Sequence, residues 1–293
     1  ASRFVLMNLS QEPLQVDSGS LSLPNRWIRS RLVRVSRQLS ASLKDYKFYE
    51  AAETIYHFIW HEFCDWYIEF IKPELRQGNK KTQAVMEDTL EKIMRLLHPF
   101  MPFITEEIWH HLPGTGQSLL EAEWPVLPED WLDEEAELAM KFLQEIISEI
   151  RTIRAENRLP VREKVNLWIS GGQKNIKLTE PYEDAVKLLA GVETINYVEE
   201  LPSDKKLLKG VAGTTEIGIL VARSIDLDQE RERLEKELVR AKEDITKLEI
   251  RLNNPDFLGK APAAVVEDHR SRLAELKLKK EKLEKGLQEL AKK

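Results

Sequence analysis

The sequence predicts a mainly α fold in three parts: a helical bundle over residues 1–158, a small α+β module over 159–224 and an antiparallel coiled-coil hairpin over 225–293. Three observations carry this prediction. Apolar residues recur at helical spacing through most of the first part. The period drops to two at Val165-Asn166-Leu167-Trp168-Ile169, as in a strand. Two leucine heptad runs then flank a break at Asn253-Asn254-Pro255-Asp256, which turns one helix back on the other.

The bundle begins with Phe4, Val5, Leu6, Met7 and Leu9, which read as the tail of a helix. Ala1 is not an initiator methionine and no basic-then-apolar leader follows it, so the chain is expected to be a piece of a longer protein. A turn-rich stretch, Val16 to Pro24, leads into a helix with Ile28, Leu32, Val35 and Leu39 on its apolar face. Between residues 25 and 50, Arg26, Arg29, Arg31, Arg34, Arg37, Lys44 and Lys47 face only Asp45 and Glu50. Such a strip is either a solvated helix face or a phosphate-facing one, and phosphate contacts give salt-dependent affinity without sequence information.

Residues 48–71 carry the densest aromatic set, with Phe48, Ile55, Phe58 or Ile59, Trp66 and Phe70 near one face, and are expected to form the central helix, closed by Pro73. Gly78-Asn79-Lys80-Lys81 makes the next turn. Leu90, Ile93 and Leu97 continue the helical period until Pro99 biases His98 away from the α region. A further helix is expected beyond Pro102, with Thr105 as its cap and Glu106 and Glu107 in its first turn. The wholly apolar Pro99–Phe103 knuckle reads as a buried corner.

From Leu112 to Trp131 the pattern is irregular. Residues 134–158 form another helix, with Leu138, Phe142, Ile146, Ile150 and Ile153 inward and Arg151, Arg154 and Arg158 near its end. After the strand at 165–169, Tyr182–Leu189 reads as a short helix and Ile195–Val198 and Thr215–Val221 as strands. The hairpin seams run Leu227, Arg231, Leu234, Leu238, Ala241, Ile245, Leu248, Leu252 and Val266, His269, Leu273, Leu276, Lys280, Leu283, Leu287, Leu290. A helix over 227–252 spans about 39 Å. The returning arm from 259 on is basic, with ten lysines and arginines against six acids, while 226–252 holds seven against nine.

With 293 residues, 42% hydrophobic and 32% charged, the chain is too polar for a membrane protein and long enough for about two domains. The formal net charge is -6, so a nucleic-acid contact must come from local basic faces. One cysteine, Cys64, excludes an internal disulfide and sits in an apolar setting. His57 and His61 stand four apart, but Phe58 replaces the zincin glutamate and no further ligands follow; the same holds for His110-His111, and no metal is expected. Pro113-Gly114-Thr115-Gly116 lacks the lysine and strand of a phosphate loop.

The run Leu96-Leu97-His98-Pro99-Phe100-Met101-Pro102-Phe103-Ile104-Thr105-Glu106-Glu107-Ile108-Trp109 resembles the anticodon-binding domain of bacterial valyl-tRNA synthetases. Arg3-Phe4-Val5-Leu6-Met7, the connector Ser118 to Pro125 and the hairpin tip Leu252 to Pro262 are similar to the same family. The resemblance implies an anticodon-binding helical bundle and a C-terminal arm on the outer corner of tRNA(Val). It implies Phe4, with Arg3 beside it, as an anticodon-side residue; the basic strip adds Arg26, Arg29 and Arg34 as candidate tRNA-binding residues there, and the charge of the hairpin adds Arg251, Lys260, Arg270, Arg272 and Lys277 on the arm. An aromatic at Phe4 would stack on anticodon bases, where an ordinary core phenylalanine is the alternative. The parent enzyme would use ATP to attach valine to tRNA; the histidine-rich nucleotide motif and mobile lysine loop of that chemistry are missing here, so no catalytic residue or cofactor is expected in this chain. A cytoplasmic monomer that binds neither membrane nor DNA is implied. The alternatives are the same region of an isoleucyl or leucyl enzyme, or a coiled-coil module that pairs with a protein.

Overall fold

A computed structural model of the chain describes residues 1–9, 21–157, 159–160, 162–171, 173–203, 205, 207–213, 215–220, 227–254, 257 and 263–290. The Val16–Ser20 stretch, Arg158, Val221, Gly259 and Lys260 lie outside the described residues. The chain forms two compact units, Ala1–Lys141 and Phe142–Lys293.

The first unit is helical. α1 (Ser2–Met7) is followed by α2 (Leu23–Lys44), α3 (Phe48–His57), a π-helical segment (Phe58–Tyr67), α4 (Ile68–Arg76), α5 (Lys80–Leu97) and α6 (Pro102–Trp109). α2 buries Ile28, Leu32, Val35 and Leu39, the face its period predicts. Along α3 to α4 the buried positions are Ala51, Ile55, Phe58, Phe63, Tyr67, Ile68, Phe70, Ile71 and Leu75. The step of five from Phe58 to Phe63 marks the π segment, whose wider turn places one extra residue between inward positions. Tyr67 rather than Trp66, the residue assigned to this face, is therefore the buried one, while Phe48, the first residue of α3 and ahead of the π segment, is 58% exposed. Pro73 lies inside α4 rather than closing it, and the helix continues to Arg76 because Phe70, Ile71 and Leu75 hold its buried face.

The α5–α6 corner differs from its sequence reading in three ways. His98 keeps right-handed helical dihedrals, φ -53° and ψ -41°, although Pro99 follows it. Met101 is the N-cap and Pro102 occupies the first turn of α6, where a missing N–H costs nothing. Thr105 is inside the helix; its hydroxyl lies 2.9 Å from the Met101 carbonyl and 2.8 Å from His98 Nδ1. Glu106 and Glu107 thus fall beyond the first turn. The corner is also not buried: Phe103 is 91% exposed, Met101 51% and Ile104 47%. Within α6 only Thr105 and Trp109 are buried. The irregular segment beyond α6 is tied down by Trp109 Nε1 donating to Gly116 O, Arg95 to Glu123 O and Trp124 Nε1 to Ser40 Oγ.

α7 (Glu134–Glu156) contains the division between units, earlier than the boundary at 158 read from sequence. Its apolar face is Ala136, Ala139, Met140, Leu143, Ile146, Ile147, Ile150 and Ile153, while Leu138, expected inward, is exposed. In the second unit this helix lies against the sheet. At Gly210 a Cβ would meet the Glu149 carboxylate and stand 2.8 Å from Ile153 Cδ1. Buried Arg154 donates to the carbonyls of Gly191, Pro160 and Glu163 at 2.7–3.1 Å.

The sheet has strands β1 (Val165–Ser170), β2 (Val192–Val198), β3 (Leu207–Ala212) and β4 (Thr215–Leu220) in the order β2-β1-β4-β3. β1 and β2 are parallel, joined through α8 (Gln173–Thr179) and α9 (Glu183–Ala190); the other pairs are antiparallel. The sequence reading missed α8 and β3. Ala212 pairs with Thr215 around Gly213, whose φ of 57° suits a two-residue hairpin turn.

α10 (Leu227–Leu252) and α11 (Ala263–Leu290) pair with each other as the heptads predict. Leu234, Ala241 and Leu283 form their core, with Leu238 and Leu287 packed against it. Lys277 and Lys279 reach across to Glu249 and Glu237 at 2.8 and 2.7 Å. At the base, Leu234, Leu283 and Gly286 share a small cavity with Leu201, Lys209, Gly210 and Val211, so the hairpin covers edge strand β3.

Candidate nucleic-acid interface

One end of the first unit is built by a polar network whose members come from four segments. Tyr67 Oη donates to Asn25 Oδ1 at 2.8 Å, and Asn25 Nδ2 donates to Thr82 Oγ1 at 2.8 Å and Ser22 Oγ at 2.9 Å. Ser22 and Thr82 hydroxyls both donate to Glu74. Asn79 Oδ1 accepts the backbone N–H groups of Lys81 and Thr82, capping α5. Asn25, Tyr67 and Thr82 are buried, and burial holds the Tyr67 phenol well above its ordinary range. The network fixes the starts of α2 and α5 to the end of α4. None of its members was identifiable locally; each is an ordinary polar residue until the helices meet.

Phe4 lies at this end. Its ring is half-buried, with Lys72 Nζ 5.9 Å from the centroid, and Arg3 beside it is exposed. A half-open ring under a cation can stack on a base while its other side packs on protein.

The α2 arginines are differently placed. Arg29 is 6% exposed, its guanidinium 4.3 Å from the Trp131 ring centroid, and desolvation lowers its pKa. A cation so placed does not face solvent. Arg26 pairs with Asp133 at 3.4 Å, and Arg34 with Glu137 at 2.7 Å and Glu134 at 3.4 Å. Arg31 makes a forked pair with Glu62 at 2.7 and 2.9 Å, which raises its pKa, and Arg37 pairs with Glu129. The cationic strip is thus largely matched by acids of the chain itself.

On the hairpin, Arg251 is exposed at the end of α10. Arg270, Arg272 and Lys277 are exposed and pair with Glu267, Glu275 and Glu249 at 3.6, 3.3 and 2.8 Å. Exposed pairs of this kind contribute little and exchange readily for another anion. Lys260 lies outside the described residues.

His57 and His61 have ring centroids 5.1 Å apart, and His61 Nδ1 is 3.3 Å from Asp65. Among the described residues no group of three or more His, Cys, Asp or Glu is arranged to hold a metal. Cys64 is half-buried with its thiol pKa raised by burial. Among the described residues no helix is long and apolar enough to cross a membrane.

A proline-hinged helical unit with an open aromatic at one end, joined in sequence to a paired-helix arm, defines a class. Residues 25–169 match the family described as the anticodon-binding domain of tRNA ligase, and residues 226–291 the valyl tRNA synthetase tRNA binding arm. The chain is 37% identical over 291 residues to the valine–tRNA ligase of Thermotoga maritima, covering 99% of this chain and 33% of that protein. It is 40% identical over 292 residues to that of Carboxydothermus hydrogenoformans and 38% over 301 to that of Syntrophotalea carbinolica, at 98% and 99% of this chain. The chain belongs to the valine–tRNA ligase family, carrying its anticodon-binding domain and tRNA-binding arm, and spans about a third of the length of these relatives.

Proposed function

We propose that the chain binds tRNA(Val) through both units, the first on the anticodon loop with Phe4 as a stacking residue and the hairpin on the outer corner of the same molecule. The observation that carries this reading is the presence in one chain of both tRNA-directed families, with similarity to valine–tRNA ligases along its whole length. Two moderate contacts on one RNA combine as a bivalent grip. Arg3 is the anticodon-side cation best placed for it, since Arg29 is buried and Arg26 and Arg34 are paired; Arg251, Lys260, Arg270, Arg272 and Lys277 serve the arm. Valine activation with ATP belongs to the parent enzyme, which works in the cytoplasm as a monomer and without DNA. The part of this chain is to position tRNA, and the ATP-dependent step falls to the rest of the ligase.

Filter binding of tRNA(Val), tRNA(Ile) and tRNA(Leu) across a salt series tests the reading. The expected result is preference for tRNA(Val) and affinity that falls steeply with salt; salt-independent affinity would remove the phosphate contacts. Phe4→Ala is expected to narrow the gap between cognate and non-cognate tRNA, whereas Arg251→Gln with Arg270→Gln lowers affinity for all three alike. Point variants are the right tool for the arm, because truncation would uncover the β3 edge. The rival reading, a module that pairs with another protein, is disfavoured because α10 and α11 already satisfy each other's seams. Sedimentation as a dimer would revive it.

A further inference from the structure

We propose that the α4–α5 turn is a phosphate-binding rail beside Phe4, with Arg76 and Lys80 as its contacts to the backbone of a single-stranded RNA loop. The proposal rests on the tRNA reading above and assigns to it residues outside the anticodon-side set already named. Lys72, Arg76, Lys80 and Lys81 fall within ten residues and have one acid, Glu74, among them. That acid is turned inward, where it accepts from Ser22 and Thr82.

The contrast with α2 decides the assignment. Arg26, Arg31, Arg34 and Arg37 each have a carboxylate partner. Arg3, Arg76 and Lys80 are exposed and, among the described residues, enter no ion pair. Cations without partners lose no internal contact when they take a phosphate, so binding there costs less than at a paired arginine. The placement of Lys80 also works against helix stability: it begins α5, whose first turn holds no acid, at the end where the helix dipole disfavours positive charge. An anion would relieve that conflict.

Geometry joins the cations to the aromatic. Lys72 lies over the Phe4 ring and belongs to the same α4 end as Arg76. The network of Tyr67, Asn25, Thr82 and Glu74 fixes this end to the start of α5, so the rail is held in place before RNA arrives. An aromatic ring flanked by a cationic track is the arrangement that holds single strands: bases stack and phosphates follow the charge.

The test uses the full chain and a tRNA(Val) transcript, with affinity measured between about 50 and about 200 mM salt and the RNA probed by hydroxyl-radical protection. For Arg76→Gln with Lys80→Gln, the slope of log K against log salt is expected to flatten by about 1.4, two single-strand phosphate contacts. Protection is expected to vanish at the anticodon loop and to persist at the outer corner, which shows that the variant is folded. Lys177→Gln, an exposed cation on α8 outside every tRNA-facing set named above, is the control and leaves both readouts unchanged. An unaltered slope and loop footprint in the double variant overturns the rail while the tRNA reading stands. No binding by the unmodified chain overturns both.

Discussion

Arg29 and Arg34 lie on one helix five residues apart, yet one stacks in the interior on Trp131 and the other pairs with Glu134 and Glu137. The count of cations between residues 25 and 50 was legible in the sequence; their environment was not, because Glu62, Asp133, Glu134 and Glu137 come from distant segments. The Asn25 network was hidden for the same reason. It also supplies a sharp test: Tyr67→Phe removes the donor to Asn25 Oδ1 in a site closed to water, and an unsatisfied buried acceptor costs about 1–3 kcal/mol. Urea unfolding reads that loss, and a change below about 0.5 kcal/mol would mean the bond contributes nothing. Glu87 gives a second test. Burial, then the neighbouring Asp88, raises its carboxyl pKa. A raised folded-state value means the fold favours the protonated form, so the stability contributed is present at acid pH and lost as pH rises through the folded value. Glu87→Gln does not titrate and is expected to gain on the unmodified chain as pH rises from about 4 to about 7, read by urea melts at both; parallel pH profiles would refute the assignment.

At the scale of elements, the long periodic helices were readable because their stability comes from one buried stripe, as in α2, α5 and the two hairpin helices. The failures have a common physics. A π turn shifts the stripe by one residue, which put Tyr67 inward in place of Trp66, and tertiary packing carried α4 through Pro73. β3 was missed because its sequence, Leu207-Leu208-Lys209-Gly210-Val211-Ala212, lacks alternation: both faces are covered, one residue excepted. α7 and the hairpin supply that cover. The hairpin base can therefore be tested by itself. Leu283 is fully buried in the seam, so Leu283→Ala is expected to cost about 2–5 kcal/mol, whereas Leu278→Ala on the outer face costs under about 0.5 kcal/mol. Amide exchange in α10 and α11 should rise for the first variant alone. Equal effects would mean that the two helices do not pair through the heptad seam.

For the molecule as a whole, the proline-hinged corner carries the family resemblance, yet apolar composition there does not mean burial. Phe103, Met101 and Ile104 stand in solvent in a chain about a third as long as its relatives, and Phe103 is the most open of them. A fully exposed ring adds almost nothing to folding, since its unfolded and folded surroundings are both water. Phe103→Asp is therefore expected to leave the unfolding free energy within about 0.5 kcal/mol of the unmodified chain. Contiguous exposed apolar surface does promote sticking, so the same substitution should shorten retention on a hydrophobic-interaction column and lower binding of a fluorescent apolar dye. The two measurements separate the possibilities: a loss of several kcal/mol would place the ring in a core, and unchanged retention would place it apart from any apolar patch. The arrangement described here requires stability to hold while retention falls.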